Sequence, residues 1–278
     1  FKLNLKFFNH TSKRIKHQWS KGKPILGNHF SEKMISLFGN PRSSHEAIEQ
    51  KHKDIAYSAQ FMYEEALFNI LNSINRDNKS TNLCIAGGCG ANSVANGKIT
   101  QRTGFKNVYV QAASGDAGGA LGSALEVWHR ISNKRSLPMG PSYLGTKFSY
   151  SEIKAFLERP ENIKILDELN CQIDIIGQGN ILNEDDFLNY TCQQIENGLV
   201  VGWFEGRMEW GPRALGHRSI LGDPRRNDMK EILNLKIKRR ESFRPFAPSV
   251  LKDECTKWFE VSSNYDANVP YMMKVYPI

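Results

Sequence analysis

Apolar residues recur along residues 53–76 at close to helical spacing: Ile55, Ala59, Met62, Ala66, Ile70, Leu71 and Ile74. This spacing predicts one long amphipathic helix. Beyond it the period shortens. Residues 82–86 read as a short buried strand that runs into Gly87-Gly88-Cys89-Gly90-Ala91-Asn92, and a helix over 93–101 can begin at that turn. Residues 108–110 predict a second strand, leading to Ser114-Gly115-Asp116-Ala117-Gly118-Gly119 and then to a small-residue helix over 120–131. Two strand–glycine loop–helix units in tandem predict an α/β layer. Its loops lie at the carboxyl ends of the strands, where ligands usually bind.

Residues 132–145 carry Pro138, Gly140, Pro141 and Gly145 and are expected to be a linker. A helix is expected over 151–157, with Ser151 as its cap and Tyr150 before it. Residues 160–182 show no period and read as a loop-rich insertion. Glu184, Asp185 and Asp186 open a helix over 184–197, which suits the positive end of a helix dipole. Residues 199–204 predict an apolar strand that feeds an arginine-rich window. No internal repeat is visible.

The composition is that of an ordinary globular protein, with 40% hydrophobic and 24% charged residues among 278. No apolar run approaches the roughly 20 residues of a membrane helix, so no membrane partner is expected. The first residue is Phe1, and residues 269–278 read like the start of a strand, so truncation at both ends is expected. Five cysteines are scattered with no metal-knuckle spacing, which suggests free thiols in a reducing, cytoplasmic setting. The formal net charge of +8 calls for an anionic partner: nucleic acid, membrane or a phosphorylated small molecule. Placement of the charge decides between them. Residues 2–23 are basic without pattern and read as solvated surface. Much of the excess falls between Arg207 and Arg244, mixed with Gly and Pro, as a phosphate pocket would require.

The glycine loops carry candidate chemistry. Gly87 and Gly88 let the backbone approach a ligand, the next helix offers free N–H groups, and Asn92 can bond a ribose or phosphate oxygen. The competing reading is a tight strand–helix turn. In the second loop Asp116 can ligate a metal, or it can cap the next helix. Two such loops favour a shared nucleotide site, but they match neither the P-loop nor the dinucleotide spacing.

The arginine window runs Gly206-Arg207-Met208-Glu209-Trp210-Gly211-Pro212-Arg213-Ala214-Leu215-Gly216-His217-Arg218-Ser219, then Asp223-Pro224-Arg225-Arg226, then Lys238-Arg239-Arg240-Glu241-Ser242-Phe243-Arg244-Pro245-Phe246. Guanidinium groups grip phosphate bidentately, and a lysine adds a point charge. Gly and Pro fix loops on which such groups converge. A nucleic-acid surface would instead interleave exposed aromatics with the cations. His217 reads either as a general acid/base or as a structural histidine.

These residues resemble the NodU/CmcH-type O-carbamoyltransferases, from about residue 35 to 278. The matching stretches are His52–Ala56, Leu83–Gly97, Gln111–Leu125, Gly140–Gly145, Val201–Asp223 and Phe243–Val250. The resemblance implies an α/β fold. Residues 1–135 would be part of an actin/sugar-kinase-type ATPase domain, and residues 136–278 part of a YrdC-like domain. It implies transfer of a carbamoyl group from carbamoyl phosphate, through carbamoyl adenylate formed with ATP, to a hydroxyl of a sugar- or antibiotic-like acceptor. Fe(II) or another divalent metal would assist.

By motif, Arg213, Lys238 and Arg244 would be catalytic and would bind carbamoyl phosphate, with Arg207 and Arg218 beside them. Gly87, Gly88, Asn92, Gly115, Gly118 and Gly119 would line the nucleotide site, and Asp116 would hold the metal. The family's His-x-x-x-His metal motif has no counterpart here, which implies an incomplete metal site. The implied partners are small molecules. Nucleic acid is not expected, and a homodimer is one possible assembly. Two other readings stand beside the enzyme: a nucleotide- or RNA-binding relative of the threonylcarbamoyl-tRNA system, and an inactive fragment that binds phosphate ligands.

Overall fold

Two consecutive residues with positive φ, Lys21 at 50° and Gly22 at 75°, close the first hairpin. They join β1 (Gln18–Ser20) to β2 (Lys23–Ile25) in an antiparallel pair, as a two-residue turn twisted to match its strands should. The structure is a computed structural model, and it describes residues 2–9, 18–25, 27–43, 45–134, 140–173, 184–261, 269 and 271–278. The chain divides into two units, residues 1–74 and 75–278.

The first unit holds β1, β2, α1 (Glu32–Phe38) and most of α2 (Gln50–Asn78). Helix α1 ends at Gly39, whose φ of 84° suits a residue without a Cβ. Helix α2 is the long helix that the spacing predicts, but the buried stripe differs from the expected one. Glu64, Phe68 and Leu71 are buried at i, i+4 and i+7, while Ile55, Met62, Ile70 and Ile74 are exposed. Two apolar stripes run along this helix, and only one of them is packed.

The second unit is mixed α/β. Strands β3 (Asn82–Ile85) and β4 (Asn107–Val110) pair in parallel, Asn82 facing Asn107 and Ile85 facing Val110. Their carboxyl ends, and so both glycine loops, lie side by side. Helix α3 (Ser93–Arg102) follows the first loop and α4 (Asp116–Ser132) the second. Helix α4 starts earlier than residue 120, because Gly118 and Gly119, expected in the loop, form its first turn. A side chain at Gly118 would overlap the Ala113 carbonyl, so the helix start is drawn tight against the strand exit.

Val110, Ala112, Tyr271 and Met273 form the core of this layer, with Ile85, Val108, Trp210 and Leu215 packed against them. Helix α3 adds Ala95 and Ile99, both 0% exposed. Residues 271–276 close the layer: the Val275 N–H donates to the Ser93 carbonyl at 3.0 Å, and a side chain at Gly97 would overlap the Val275 carbonyl.

Helix α5 (Tyr150–Leu157) is capped by Ser149, two residues before the expected Ser151. Ser149 and Glu152 form a reciprocal capping box, which Ser151 could not make with Glu152 as its neighbour. Helix α6 (Pro160–Glu168) replaces the first part of the expected loop-rich insertion. Its Pro160 stands in the first turn, where a missing N–H costs nothing. The rest of that insertion, 174–183, lies outside the described residues. Of the expected linker, residues 135–139 also lie outside them, whereas 140–145 are built into the second unit: Ser142 is 2% exposed, and Gly145 N–H donates to the Met208 carbonyl at 2.9 Å.

Helix α7 (Glu184–Glu196) leads to β5 (Val201–Phe204), which pairs antiparallel with β6 (Arg218–Leu221). The short α8 (Met229–Glu231) passes into a π-helical turn at Ile232–Ile237, and α9 (Cys255–Trp258) lies near the end. Among the described residues no helix is long and apolar enough to cross a membrane.

Candidate functional site

The two glycine loops are tied together by the backbone. The Gly87 N–H donates to the Ser114 carbonyl at 2.7 Å, and a Cβ at Gly115 would lie 3.9 Å from the Gly88 Cα. Gly87 has φ 100°, a conformation that a glycine holds without strain. Gly88 and Gly119 face open space. The amino terminus of α4 has Gly115 as its cap residue, with no side chain capping it. Its free N–H groups and dipole make a seat for an anion.

Asn92 has a structural task as well: its side chain accepts the Ala95 N–H and caps α3. Asp116 stands exposed as the first residue of α4. Among the described residues no three His, Cys, Asp or Glu side chains converge as a metal site. Asp116 therefore stands as a single candidate ligand, and among the described residues no set of three completes a metal site around it.

The arginine window meets the glycine loops directly. Gly211, at φ 104°, passes so near the exit of β4 that a Cβ would sit 2.7 Å from the Ala112 carbonyl. Two residues on, the Arg213 guanidinium donates to the Ala91 carbonyl at 3.3 Å, at the end of the first glycine loop. This long bond leaves its other donors available, and it places a cation at the loop.

Glu209 stands four residues before Arg213. It is 7% exposed, and its Oε1 accepts N–H groups from Leu215 at 2.8 Å, His217 at 2.8 Å and Arg218 at 3.1 Å. Burial opposes ionisation of Glu209, but these backbone donors outweigh it and hold the carboxyl below its ordinary value. Residues 209–218 thus form a loop closed on one carboxylate, with Arg213 midway along it. Glu209 is not among the residues that the sequence points to as functional. Its signal was an acid set among Gly and Arg.

The neighbouring cations are used differently. Arg218 donates to the carbonyls of Glu205, Gly206, Thr146 and His217, and stacks 3.6 Å from the Phe204 ring centroid. Arg207 donates to the Gly145 carbonyl at 3.1 Å. Both tie loop backbones together. His217 stacks on Tyr143 with centroids 3.6 Å apart and an interplanar angle of 11°, and its Nδ1 lies 2.7 Å from the Arg207 carbonyl. A carbonyl can only accept, so Nδ1 carries the proton.

Lys238 and Arg244 sit on a separate loop organised by Asn234, which is 0% exposed. The Asn234 amide donates to the Ser242 and Arg244 carbonyls at 3.2 and 2.9 Å, and its oxygen accepts Arg240 Nε at 2.7 Å. Lys238 is exposed, and its ammonium has no partner among the described residues. Arg244 pairs with Glu241 at 2.8 Å. No hydrogen bond or ion pair joins this loop to Arg213 among the described residues.

A cavity of about 460 Å³ between α7 and β5 is lined by Phe187, Leu188, Tyr190 and Trp203, with Glu205 at its edge. It offers a carboxylate and aromatic walls, the wrong lining for an anionic donor.

The family model described as the carbamoyltransferase N-terminus matches residues 7–125, and the one described as the carbamoyltransferase C-terminus matches residues 192–278. The chain is 40% identical to an uncharacterised protein of Synechocystis over 99% of its own length and 41% of that protein. It is 35% identical to nodulation protein NolO of Bradyrhizobium diazoefficiens, covering 80% of the chain and 38% of that protein. It is 28% identical to the 3'-hydroxymethylcephem-O-carbamoyltransferase of Streptomyces clavuligerus, covering 77% of the chain and 36% of that enzyme. The chain thus spans about two fifths of the length of these relatives. The glycine loops fall in one matched region and both basic loops in the other, and the chain belongs to the carbamoyltransferase family.

Proposed function

We propose that the protein is an O-carbamoyltransferase that draws on carbamoyl phosphate and ATP and carbamoylates a hydroxyl of a sugar- or antibiotic-like small molecule. The observation that carries this reading is the Arg213 guanidinium bonded to the Ala91 carbonyl, which puts a cation at the edge of a glycine loop. The family membership supplies the reaction class. In this reading residues of the glycine-loop region belong to an ATPase-like domain and the basic loops to a YrdC-like one, working in the cytoplasm where ATP is present.

Water enters, phosphate leaves carbamoyl phosphate, and the resulting carbamate oxygen attacks the α-phosphorus of ATP. Pyrophosphate leaves, and carbamoyl adenylate remains. The acceptor hydroxyl then attacks the carbamoyl carbon, loses its proton, and AMP departs. Arg213, Lys238 and Arg244 neutralise the phosphate of the donor, where fixed cations stabilise charge that grows during transfer. Gly87, Gly88, Gly115, Gly118, Gly119 and Asn92 let the nucleotide approach the backbone, and the α4 amino terminus receives its phosphate. Asp116 would offer one ligand to a divalent metal.

The test is pyrophosphate release on mixing the protein with ATP and carbamoyl phosphate. Wild type is expected to release it, and Arg213→Ala and Lys238→Ala to lower the rate at least about a hundredfold each, the loss typical of removing one charge-stabilising donor. No release by wild type, with Fe(II) and candidate acceptors supplied, would overturn the reading.

A further inference from the structure

We infer that Glu209 is a positioning residue for the anion site: its buried carboxylate shapes the loop that aims Arg213 at the first glycine loop. The inference rests on the reading of Arg213 as a donor-binding cation. Three facts carry it. Glu209 Oε1 gathers the N–H groups of Leu215, His217 and Arg218, so both ends of the loop close on one atom. Arg213 lies between those ends, and its guanidinium reaches Ala91. Trp210, next to Glu209, donates its backbone N–H to the Ser142 carbonyl at 2.6 Å, so the base of the loop is anchored from outside as well.

The sign of the effect separates this role from simple electrostatics. A carboxylate near an anion site repels the anion, so electrostatics alone predicts that removing the charge of Glu209 tightens anion binding. Positioning predicts the opposite. Without the acceptor, three N–H groups lose their partner, the loop relaxes, and Arg213 is no longer held at Ala91. The geometry matters more than the charge, so Gln, which keeps an oxygen at the same reach, should serve better than Asp, which keeps the charge but is shorter.

The experiment is a calorimetric titration of the protein with inorganic phosphate, with the thermal midpoint of each variant recorded alongside. Wild type is expected to bind. Glu209→Ala should weaken binding about tenfold or more, and Glu209→Gln should stay within about threefold, each tenfold step being about 1.4 kcal/mol. Glu209→Asp should lie near the alanine variant, and it takes that variant's place if Glu209→Ala fails to fold. Glu209→Ala combined with Arg213→Ala should bind no more weakly than Arg213→Ala alone. The inference is overturned if a folded Glu209→Ala binds phosphate as well as or better than wild type, or if its effect adds to that of Arg213→Ala. Failure of wild type to bind phosphate would overturn the reading of the basic window itself, a separate result.

Discussion

Two buried polar residues, Glu209 and Asn234, shape the loops on which the cations stand. Neither is a cation, and neither drew notice in the sequence. Glu209 was at least legible as an acid inside a basic run. Asn234 was not, since Ile232-Leu233-Asn234-Leu235 reads as a polar slip in an apolar stretch. Asn234→Ala removes both bonds to the 242–244 backbone and leaves Arg240 Nε without its acceptor. The expected cost is about 2–4 kcal/mol in urea denaturation, the sum of lost bonds and an unsatisfied donor.

Glu209 also sets a pH dependence. Its folded carboxyl titrates below the ordinary value, so the stability it contributes is present above about pH 4.3 and lost as pH falls through the folded value. Asp223 acts in the same direction, held down first by the Arg225 guanidinium and then by the Arg225 backbone N–H. Urea midpoints taken at pH 7 and pH 4 should fall less between the two for Glu209→Gln than for wild type, and less again when Asp223→Asn is added. An equal fall in all three would mean that neither carboxylate contributes.

At the scale of elements, glycine separates local propensity from packing. In an exposed helix, Gly→Ala is worth up to about 1 kcal/mol in favour of alanine. Gly122 in α4 has nothing within 4 Å of its missing Cβ, so Gly122→Ala should stabilise by up to about 1 kcal/mol, read as a higher urea midpoint. Gly97 in α3 has the Val275 carbonyl in the way. Gly97→Ala should therefore destabilise by about 1–3 kcal/mol, the cost of overpacking. Two glycines, both in helices, are expected to respond with opposite sign.

The elements themselves were largely legible, because a strand of four residues ending in glycine, or a helix with its apolar period, is written locally. The misses have local causes too. Residues 160–182 read as loop for want of a period, yet Pro160 begins α6, and Ser149 rather than Ser151 caps α5 because Glu152 completes its capping box. Helix α4 begins before residue 120 because Gly118, set against the Ala113 carbonyl, serves the packing by its smallness, whereas Gly119 faces open space.

At the scale of the whole molecule, the second unit is closed by chain that lies far away in sequence. The Asn96 side chain donates to the Met273 carbonyl at 2.9 Å across 177 positions, and to the Gly90 carbonyl at 2.8 Å. Tyr271 and Met273 are each 4% exposed in the same core as Val110 and Ala112, and Trp210 and Leu215 from the arginine window pack there too. No local pattern announces this. Residues 269–278 read only as the start of a strand, since a partner so distant leaves no trace in the period.

The consequence is that both candidate loops depend on one shared core. Removing residues 271–278 deletes two large buried side chains, each worth about 2–5 kcal/mol. It also strips one acceptor from Asn96, which is 2% exposed. That sum is comparable to the whole stability of a typical domain, about 5–15 kcal/mol. The truncated protein should therefore lose cooperative unfolding of the second unit and phosphate binding together, by circular dichroism melting and calorimetry. A truncated protein that melts cooperatively near the wild-type midpoint and still binds phosphate would show that residues 271–278 lie on the core without supporting it. The glycine loops and Arg213 would then be held by β3, β4 and the Glu209 loop alone.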